Sequence, residues 1–259
     1  MRPWQRWRKG RVDIDMACNG LEELGMKYAA EALSQFLNTS VRENWAPHRL
    51  LDAVIGVELR RREEERIKKW LKTSCLPPGQ TLGNFEWTFQ PSIQKSRIES
   101  LATCAWVREQ QTILFQGPPG TGKTHLSAAL GVKAIENGFT VVFYQLQDLL
   151  PLLKKDADLA PQRLRAKKYM KANLLICDEV GFQPMTREEA SLFFRLVNSR
   201  YTRGSIIITT NKSVKDWPEI MAGDEVMTTA LLDRLLHHCH VINIKGRSYR
   251  LRELEKVLK

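Results

Sequence analysis

One glycine-rich stretch constrains the fold more than any other: Gly117-Pro118-Pro119-Gly120-Thr121-Gly122-Lys123-Thr124. It has the spacing of a phosphate-binding P-loop, which is glycine, four residues, glycine, lysine, then serine or threonine. Glycine lets the backbone turn tightly, so several N–H groups can point at one anion. The pattern predicts that Lys123 reaches the β- and γ-phosphates of a nucleotide and that the Thr124 hydroxyl holds Mg²⁺.

The residues on either side of the motif favour this interpretation over a chance glycine-rich turn. Residues 112–116 are mostly apolar and predict a short buried strand, and residues 125–137 predict a helix that stops at Gly138. The positive end of such a helix faces the bound phosphates. His125, the first residue after the motif, therefore joins the predicted nucleotide-binding set.

Two later apolar segments also end in polar residues. Residues 173–179 predict a buried strand ending in Asp178 and Glu179, and residues 205–211 predict another ending in Asn211. The carboxyl ends of parallel strands meet at the ligand crevice. Asp178 is predicted to hold Mg²⁺, Glu179 to orient and deprotonate an attacking water, and Asn211 to bridge the γ-phosphate and that water. The alternatives are solvent-facing acids in a turn and a turn-forming asparagine.

These segments predict an α/β fold with a parallel sheet flanked by helices, completed by strands at 139–144 and 241–244. The first crossover is expected to be right-handed. Upstream, apolar residues at helical spacing predict helices at 19–37 and 47–71. Leu76-Pro77-Pro78-Gly79 then breaks the helix. We predict a disordered basic extension over 1–15, an α-helical module over 16–78 and the α/β core over 79–259.

The chain carries a formal net charge of +11 over 259 residues. A protein this basic often binds a polyanion, most commonly nucleic acid, although charge alone does not separate DNA from RNA or an anionic membrane. Two stretches are candidate contacts, the helix at 60–69 and a dense basic run after the second strand. The alternative for both is a solvated helix face. The residues of the basic run are Arg163, Arg165, Lys167, Lys168 and Lys171.

The five cysteines are scattered and form no C-x-x-C pair. Their odd number and spacing are typical of reduced thiols. No apolar run is long enough to span a bilayer, and no apolar stretch follows the charged N-terminus as in a signal peptide. The sequence therefore predicts a cytoplasmic protein that does not bind a membrane.

Together, five motifs resemble the AAA+ ATPases of the IstB type, the transposition helper proteins of bacterial insertion sequences, to which DnaC helicase loaders are related. The motifs are the P-loop, 174–179, 206–211, Leu232-Asp233-Arg234-Leu235 and Ser248-Tyr249-Arg250-Leu251-Arg252. The resemblance implies an AAA+ core with ATP and Mg²⁺ as cofactors. It also implies a homo-oligomer on double-stranded DNA, with active sites between subunits, that recruits or stimulates the transposase of the same element.

The resemblance also implies roles for residues that spacing did not single out. Arg234 matches the arginine finger, which reaches the γ-phosphate on a neighbouring subunit, with Arg200 and Arg203 as the next candidates. Arg250 matches the second-sensor arginine. Little sequence follows Arg252, so the helical lid of many AAA+ proteins is expected to be missing, which leaves the placement of Arg250 open. The basic run would lie near the DNA-facing insertion of the DnaA and DnaC clade.

Three other functions remain as alternatives. A replicative helicase loader shares the chemistry but loads onto single strands and binds a helicase. A P-loop kinase for a small molecule needs a basic lid and an acceptor pocket, whereas Glu179 beside Asp178, with Asn211 following, suits water as the acceptor. A DNA-binding module with an inactive nucleotide site is disfavoured, because Lys123 and both acids are intact.

Overall fold

The computed structural model describes residues 13–252. The chain divides into two compact units, one ending at Lys69 and the other beginning at Trp70, whereas the break at Pro77-Pro78 had suggested a boundary at 78. The predicted extension over 1–15 lies mainly outside the described residues. The prediction of disorder is wrong for Ile14 and Asp15, because both residues belong to the first helix.

In the first unit, α1 (Ile14–Glu23) and α2 (Lys27–Arg42) are joined by a tight turn. The sequence had predicted one helix over 19–37. Gly25 interrupts it, because it adopts φ +74°, a left-handed conformation that commonly ends helices. The third helix, α3 (Pro47–Ser74), begins in this unit, and Val54 packs with Ala29 and Leu33 in its small core.

Part of the charged run of α3 holds this module together. Glu58 is 3% exposed and accepts the Ala29 N–H at 2.8 Å and Arg62 Nε at 2.6 Å. Burial raises the pKa of Glu58, but these two hydrogen bonds outweigh it, so the pKa lies below its ordinary value. Arg62 also donates to Gly25 O at 2.6 Å. One predicted DNA-facing arginine therefore has a structural role.

The second unit contains a parallel sheet in the order β2-β3-β4-β1-β5. The predicted parallel sheet is thus confirmed, although β1 and β2 are separated by two other strands. The strands are β1 (Thr112–Gln116), β2 (Val141–Gln145), β3 (Leu174–Val180), β4 (Ser205–Thr210) and β5 (Cys239–Asn243).

Helices surround this sheet, and its central strands are buried on both faces, as parallel strands usually are. No helix within residues 13–252 combines the length and the apolar character that crossing a bilayer requires. The helices of the second unit are α4 (Lys95–Leu101), α5 (Ala105–Arg108), α6 (Lys123–Glu136), α7 (Leu146–Lys155), α8 (Pro161–Arg165), α9 (Lys168–Lys171), α10 (Arg187–Arg200), α11 (Trp217–Ile220) and α12 (Glu225–Leu236).

Candidate nucleotide site

The P-loop connects β1 to α6 and curls around the side chain of its own lysine. Lys123 Nζ donates to the carbonyl oxygens of Gly117 and Pro118, both at 2.7 Å. Thr121 Oγ1 donates to Pro118 O at 2.8 Å. Burial lowers the pKa of Lys123, and the negative charge of Asp178 partly offsets that effect. The ammonium group is therefore held where a phosphate could replace the carbonyls as its partner.

Two glycines of the loop are in close contact with distant segments. Gly120 has φ +74°, and a Cβ there would lie 2.0 Å from Ser248 Oγ. Gly122 has φ +94°, and a Cβ there would lie 2.6 Å from Phe85 Cε2. The Tyr249 N–H also donates to Gly120 O at 2.9 Å. The loop is thus packed between a linker over residues 81–89, which lies before α4, and the segment over residues 244–252, which follows β5.

The first acid of β3 lies deep in the site. Asp178 is 1% exposed, and Thr124 Oγ1 lies 3.0 Å from both of its carboxylate oxygens. Thr209 Oγ1 donates to Asp178 Oδ1 at 2.5 Å. Burial raises the pKa of Asp178, although these two hydroxyls act in the opposite direction. A hydroxyl beside a carboxylate is the oxygen donor set that Mg²⁺ prefers, so Thr124 and Asp178 fit this ion.

A cavity of about 480 Å³ lies over the P-loop. This volume is within the usual range for a small-molecule or cofactor site. Lys123, Thr124, Glu179 and Asn211 line this cavity together. The structure therefore brings the predicted phosphate, metal and water-activating side chains into one space.

Aromatic residues also line this cavity. Phe85 and Phe89 come from the linker before β1, and His125 from the start of α6. The rings of Phe85 and His125 are 5.2 Å apart, and His125 Nε2 is hydrogen-bonded to Thr81 O at 2.8 Å. His125 therefore lies beside the cavity, where it anchors the linker.

Arg250 also lines the cavity, although the sequence left its placement open. The segment that carries it is tied to the linker through Arg252, whose guanidinium donates to the two carboxylate oxygens of Glu86 at 2.7 and 2.5 Å. The same guanidinium lies 4.4 Å from the ring centroids of Phe89 and Tyr249. These contacts join residues far apart in the chain, and sequence reasoning missed them.

Arg234 lies in a different place. It is on α12, where Nε donates to Asn198 Oδ1 at 2.7 Å and Nη1 donates to Ala230 O at 2.6 Å. Arg234 lines a separate cavity with Gly204 and Ile206, at the amino end of β4. The P-loop lies at the carboxyl end of the sheet, so a strand length of more than about 10 Å separates the two regions.

Arg200 is excluded as an alternative to Arg234 for the arginine finger. It is 1% exposed, and its guanidinium donates to backbone carbonyls that include Tyr169 O at 2.9 Å, Ala172 O at 3.0 Å and Ser205 O at 2.9 Å. Burial lowers its pKa to about 10. This arginine fixes the end of α9 to the sheet and cannot reach another subunit, whereas Arg203 is exposed.

The predicted DNA-binding run divides into two groups. Lys167 Nζ lies 2.7 Å from Asp156 Oδ1, and the buried Asp156 also accepts the Tyr169 hydroxyl at 2.8 Å. Burial raises the pKa of Asp156, but these partners outweigh it and hold the pKa below its ordinary value. Lys167 is thus part of a structural ion pair. The other residues of the run are exposed on α8 and α9: Arg163, Arg165, Lys168 and Lys171.

With this geometry in place, comparison with known proteins identifies the family. A sequence model of the family described as "IstB-like ATP binding protein" matches residues 19–257. The chain belongs to this family. The resemblance seen in the sequence motifs is therefore confirmed.

Two relatives in this family match most of the chain. The ATP-binding protein of insertion sequence IS21 from Pseudomonas aeruginosa is 42% identical over 240 residues, covering 91% of this chain and 89% of the relative. The ATP-binding protein of insertion sequence IS5376 from Geobacillus stearothermophilus is 36% identical over 230 residues, covering 89% and 91%. The similarity to this IstB-like family thus extends over both units.

Solved structures show the same fold at lower identity. AMPPCP-bound DnaA from Aquifex aeolicus has a TM-score of 0.54 and 20% identity, covering 71% of this chain and 56% of that protein. DnaI has a TM-score of 0.53 and 15% identity, covering 64% and 92%. This IstB-like chain therefore shares the fold of these proteins, a parallel sheet flanked by helices with the P-loop after β1, as the sequence predicted.

We expect Lys123→Ala to weaken ATP binding by about a hundredfold, because the phosphates lose a charge-assisted hydrogen bond. Isothermal titration calorimetry with a non-hydrolysable ATP analogue measures this loss. Lys133→Ala is the matched control, since Lys133 lies on the same helix but pairs with Glu136 at 2.7 Å, outside the cavity. Equal affinity of the Lys123→Ala variant and the wild type would contradict the assigned role of Lys123.

Proposed function

We propose that this protein is a Mg²⁺-dependent ATP hydrolase that assembles on double-stranded target DNA and recruits or stimulates the transposase of its insertion sequence. The main support is the convergence of Lys123, Thr124, Glu179 and Asn211 on one cavity, with Asp178 buried directly behind it against the Thr124 hydroxyl. These residues come from the P-loop, β3 and the end of β4. Family membership adds ATP as the nucleotide.

The proposed chemistry assigns a separate task to each residue. Backbone N–H groups of the P-loop and Lys123 hold the phosphates. Thr124 and Asp178 hold Mg²⁺, which neutralises charge on the phosphate oxygens. Glu179, half-buried at the edge of the cavity, accepts a proton from the attacking water, and Asn211 orients that water. Arg250 stabilises negative charge on the phosphates from the other side.

Transposition is favoured over helicase loading by the relatives. Those at 42% and 36% identity are described as insertion-sequence proteins, and the match covers nearly the whole length of each. DnaA and DnaI are similar in fold alone, at 20% and 15% identity. A transposase of the same element is therefore the proposed partner. Because its five cysteines are free and its proposed partners are DNA and a transposase, we propose a cytoplasmic location for the protein.

We propose that the exposed part of the basic run contacts DNA and that Arg234 acts on a neighbouring subunit. Exposed Lys168 and Lys171 are available for phosphate contacts, whereas Lys167 is already paired with Asp156. Arg234 is at the opposite end of the sheet from its own P-loop. A role in hydrolysis therefore requires a second subunit that presents its own P-loop to this arginine.

Glu179→Gln tests the hydrolysis proposal. The amide keeps the shape of the side chain but cannot accept a proton, so we expect ATP turnover to fall by about a hundredfold or more while ATP binding is retained. The variant should also remain on duplex DNA longer than the wild type when ATP is present. Phosphate release and DNA dissociation kinetics measure these effects. Glu188→Gln is the control, because Glu188 is exposed on α10. Turnover at the wild-type rate in Glu179→Gln would assign water activation to another group.

Lys168→Glu combined with Lys171→Glu tests the DNA surface. The double change removes two positive charges and adds two negative ones, so the formal net charge falls from +11 to +7. If both lysines contact phosphates, duplex affinity falls and the slope of log affinity against log salt becomes shallower by about 2. Fluorescence anisotropy over a salt series measures both quantities.

A matched control separates local contact from general charge. Lys95→Glu combined with Lys133→Glu changes the net charge equally, but these lysines pair with Glu99 and Glu136 on α4 and α6. We expect this control to keep a steeper salt dependence than the Lys168/Lys171 variant. Identical behaviour of the two double variants would show that α9 is ordinary solvated surface.

Mixing Arg234→Ala with Lys123→Ala tests the shared site. Each variant alone should hydrolyse ATP poorly, and the loss for Arg234→Ala is expected to be about a thousandfold. In a mixed assembly, an intact P-loop from the first variant can face an intact Arg234 from the second. ATP turnover should therefore recover in the mixture. A mixture that co-assembles on DNA but stays inactive would exclude Arg234, and Arg203→Ala would then be tested in the same way.

A further inference from the structure

The register between β3 and β4 contains an irregularity at the active site. Cys177 lies opposite Ile208 and Val180 lies opposite Thr210, with a register shift between them. Two residues of β3, Asp178 and Glu179, therefore face the single residue Thr209 of β4. This arrangement is a β-bulge, which bends the strand and re-aims side chains.

The bulge brings two consecutive acids to the nucleotide site. In a regular strand, successive side chains point to opposite faces of the sheet, so only one of the two would approach the nucleotide. Glu179 instead adopts φ +59°, a strained conformation for a residue other than glycine. Asp178 is buried against Thr124, which lines the cavity, and Glu179 lines the cavity itself.

One buried hydroxyl connects both acids of the bulge. Thr209 is 1% exposed, and its Oγ1 donates to Asp178 Oδ1 at 2.5 Å. The same oxygen accepts the N–H of Glu179 at 3.0 Å, so a side-chain atom of β4 satisfies a backbone group of the bulge. The hydroxyl thus orients one carboxylate directly and the other through its backbone.

We propose that Thr209 is a positioning residue that holds the β-bulge and thereby sets the geometry of the metal-binding Asp178 and the water-activating Glu179. This inference rests on the proposed ATP hydrolysis. Thr209 itself takes no part in the chemical steps of the reaction. Loss of its hydroxyl would free the Asp178 carboxylate to rotate and leave the Glu179 N–H without its partner.

Another threonine provides a matched control at the opposite end of β3. Thr140 Oγ1 donates to Asn173 Oδ1 at 2.7 Å and accepts the Asn173 N–H at 3.0 Å. Like Thr209, this hydroxyl donates to one side-chain oxygen and accepts one backbone N–H, but both partners belong to Asn173, just before the amino end of β3. Thr140→Val therefore removes an equivalent pair of hydrogen bonds without touching the nucleotide cavity.

The experiment compares Thr209→Val, Thr209→Ser and Thr140→Val with the wild type. Binding of a fluorescent ATP analogue is measured over a Mg²⁺ series, and kcat and KM are measured by phosphate release. For Thr209→Val we expect metal-free nucleotide affinity within about threefold of wild type. The Mg²⁺ concentration needed for half-maximal tight binding should rise, and kcat should fall, each by about ten- to a hundredfold, with KM little changed. Thr209→Ser keeps the hydroxyl, so its Mg²⁺ dependence and its kcat should both return to wild-type values. Thr140→Val should match the wild type.

The outcomes separate this inference from the proposed function. The role of Thr209 would be overturned if Thr209→Val kept the Mg²⁺ dependence and kcat of the wild type. It would also be overturned if Thr209→Val and Thr209→Ser showed equal losses. Either result would leave the proposed ATP hydrolysis intact. If the wild type hydrolyses no ATP with DNA and Mg²⁺ present, the proposed function fails, and the Mg²⁺ series still decides whether Thr209 orients Asp178. Thr209→Ala replaces Thr209→Val if the latter fails to fold, because it removes the hydroxyl without adding bulk.

Discussion

The buried carboxylate of Asp178 is the group around which the nucleotide site is built. It comes from β3 and is hydrogen-bonded to Thr124 at the start of α6 and to Thr209 on β4. Burial raises its pKa, so the anionic form depends on these hydroxyls and on the charge of nearby Lys123. Three separate elements must therefore meet correctly at this carboxylate, and the rest of the fold brings them together.

The strand order explains how these elements meet. Because β4 lies between β3 and β1, the bulge of β3, the end of β4 and the P-loop after β1 are neighbours at one edge of the sheet. Ligands of open α/β sheets bind at this carboxyl edge. The linker and the segment after β5 then cover the site from both sides, joined by the Glu86–Arg252 ion pair. The same topology puts Arg234 at the other edge.

Basic residues that look equivalent in the sequence have different physical roles. Arg200 is buried against backbone carbonyls, Lys167 is held by Asp156, and Arg62 supports the turn between α1 and α2. Lys168 and Lys171 remain exposed. An exposed cation can approach a phosphate without losing an existing partner, whereas removal of a buried one leaves polar groups unsatisfied. A high net charge therefore overstates the surface available to DNA.

The sequence by itself determined the local parts of this protein. Each of these parts lies within a few residues of sequence: the P-loop spacing, the apolar run ending in Asp178, and the polar end of β4. Such short patterns specify a strand, a turn or a helix start. Only the tertiary structure decided the strand order, the bulge opposite Thr209, the Glu86–Arg252 pair and the burial of Arg200. Each depends on contacts between positions far apart in the chain, such as Glu86 and Arg252, which are 166 positions apart. No local pattern encodes which distant groups will meet.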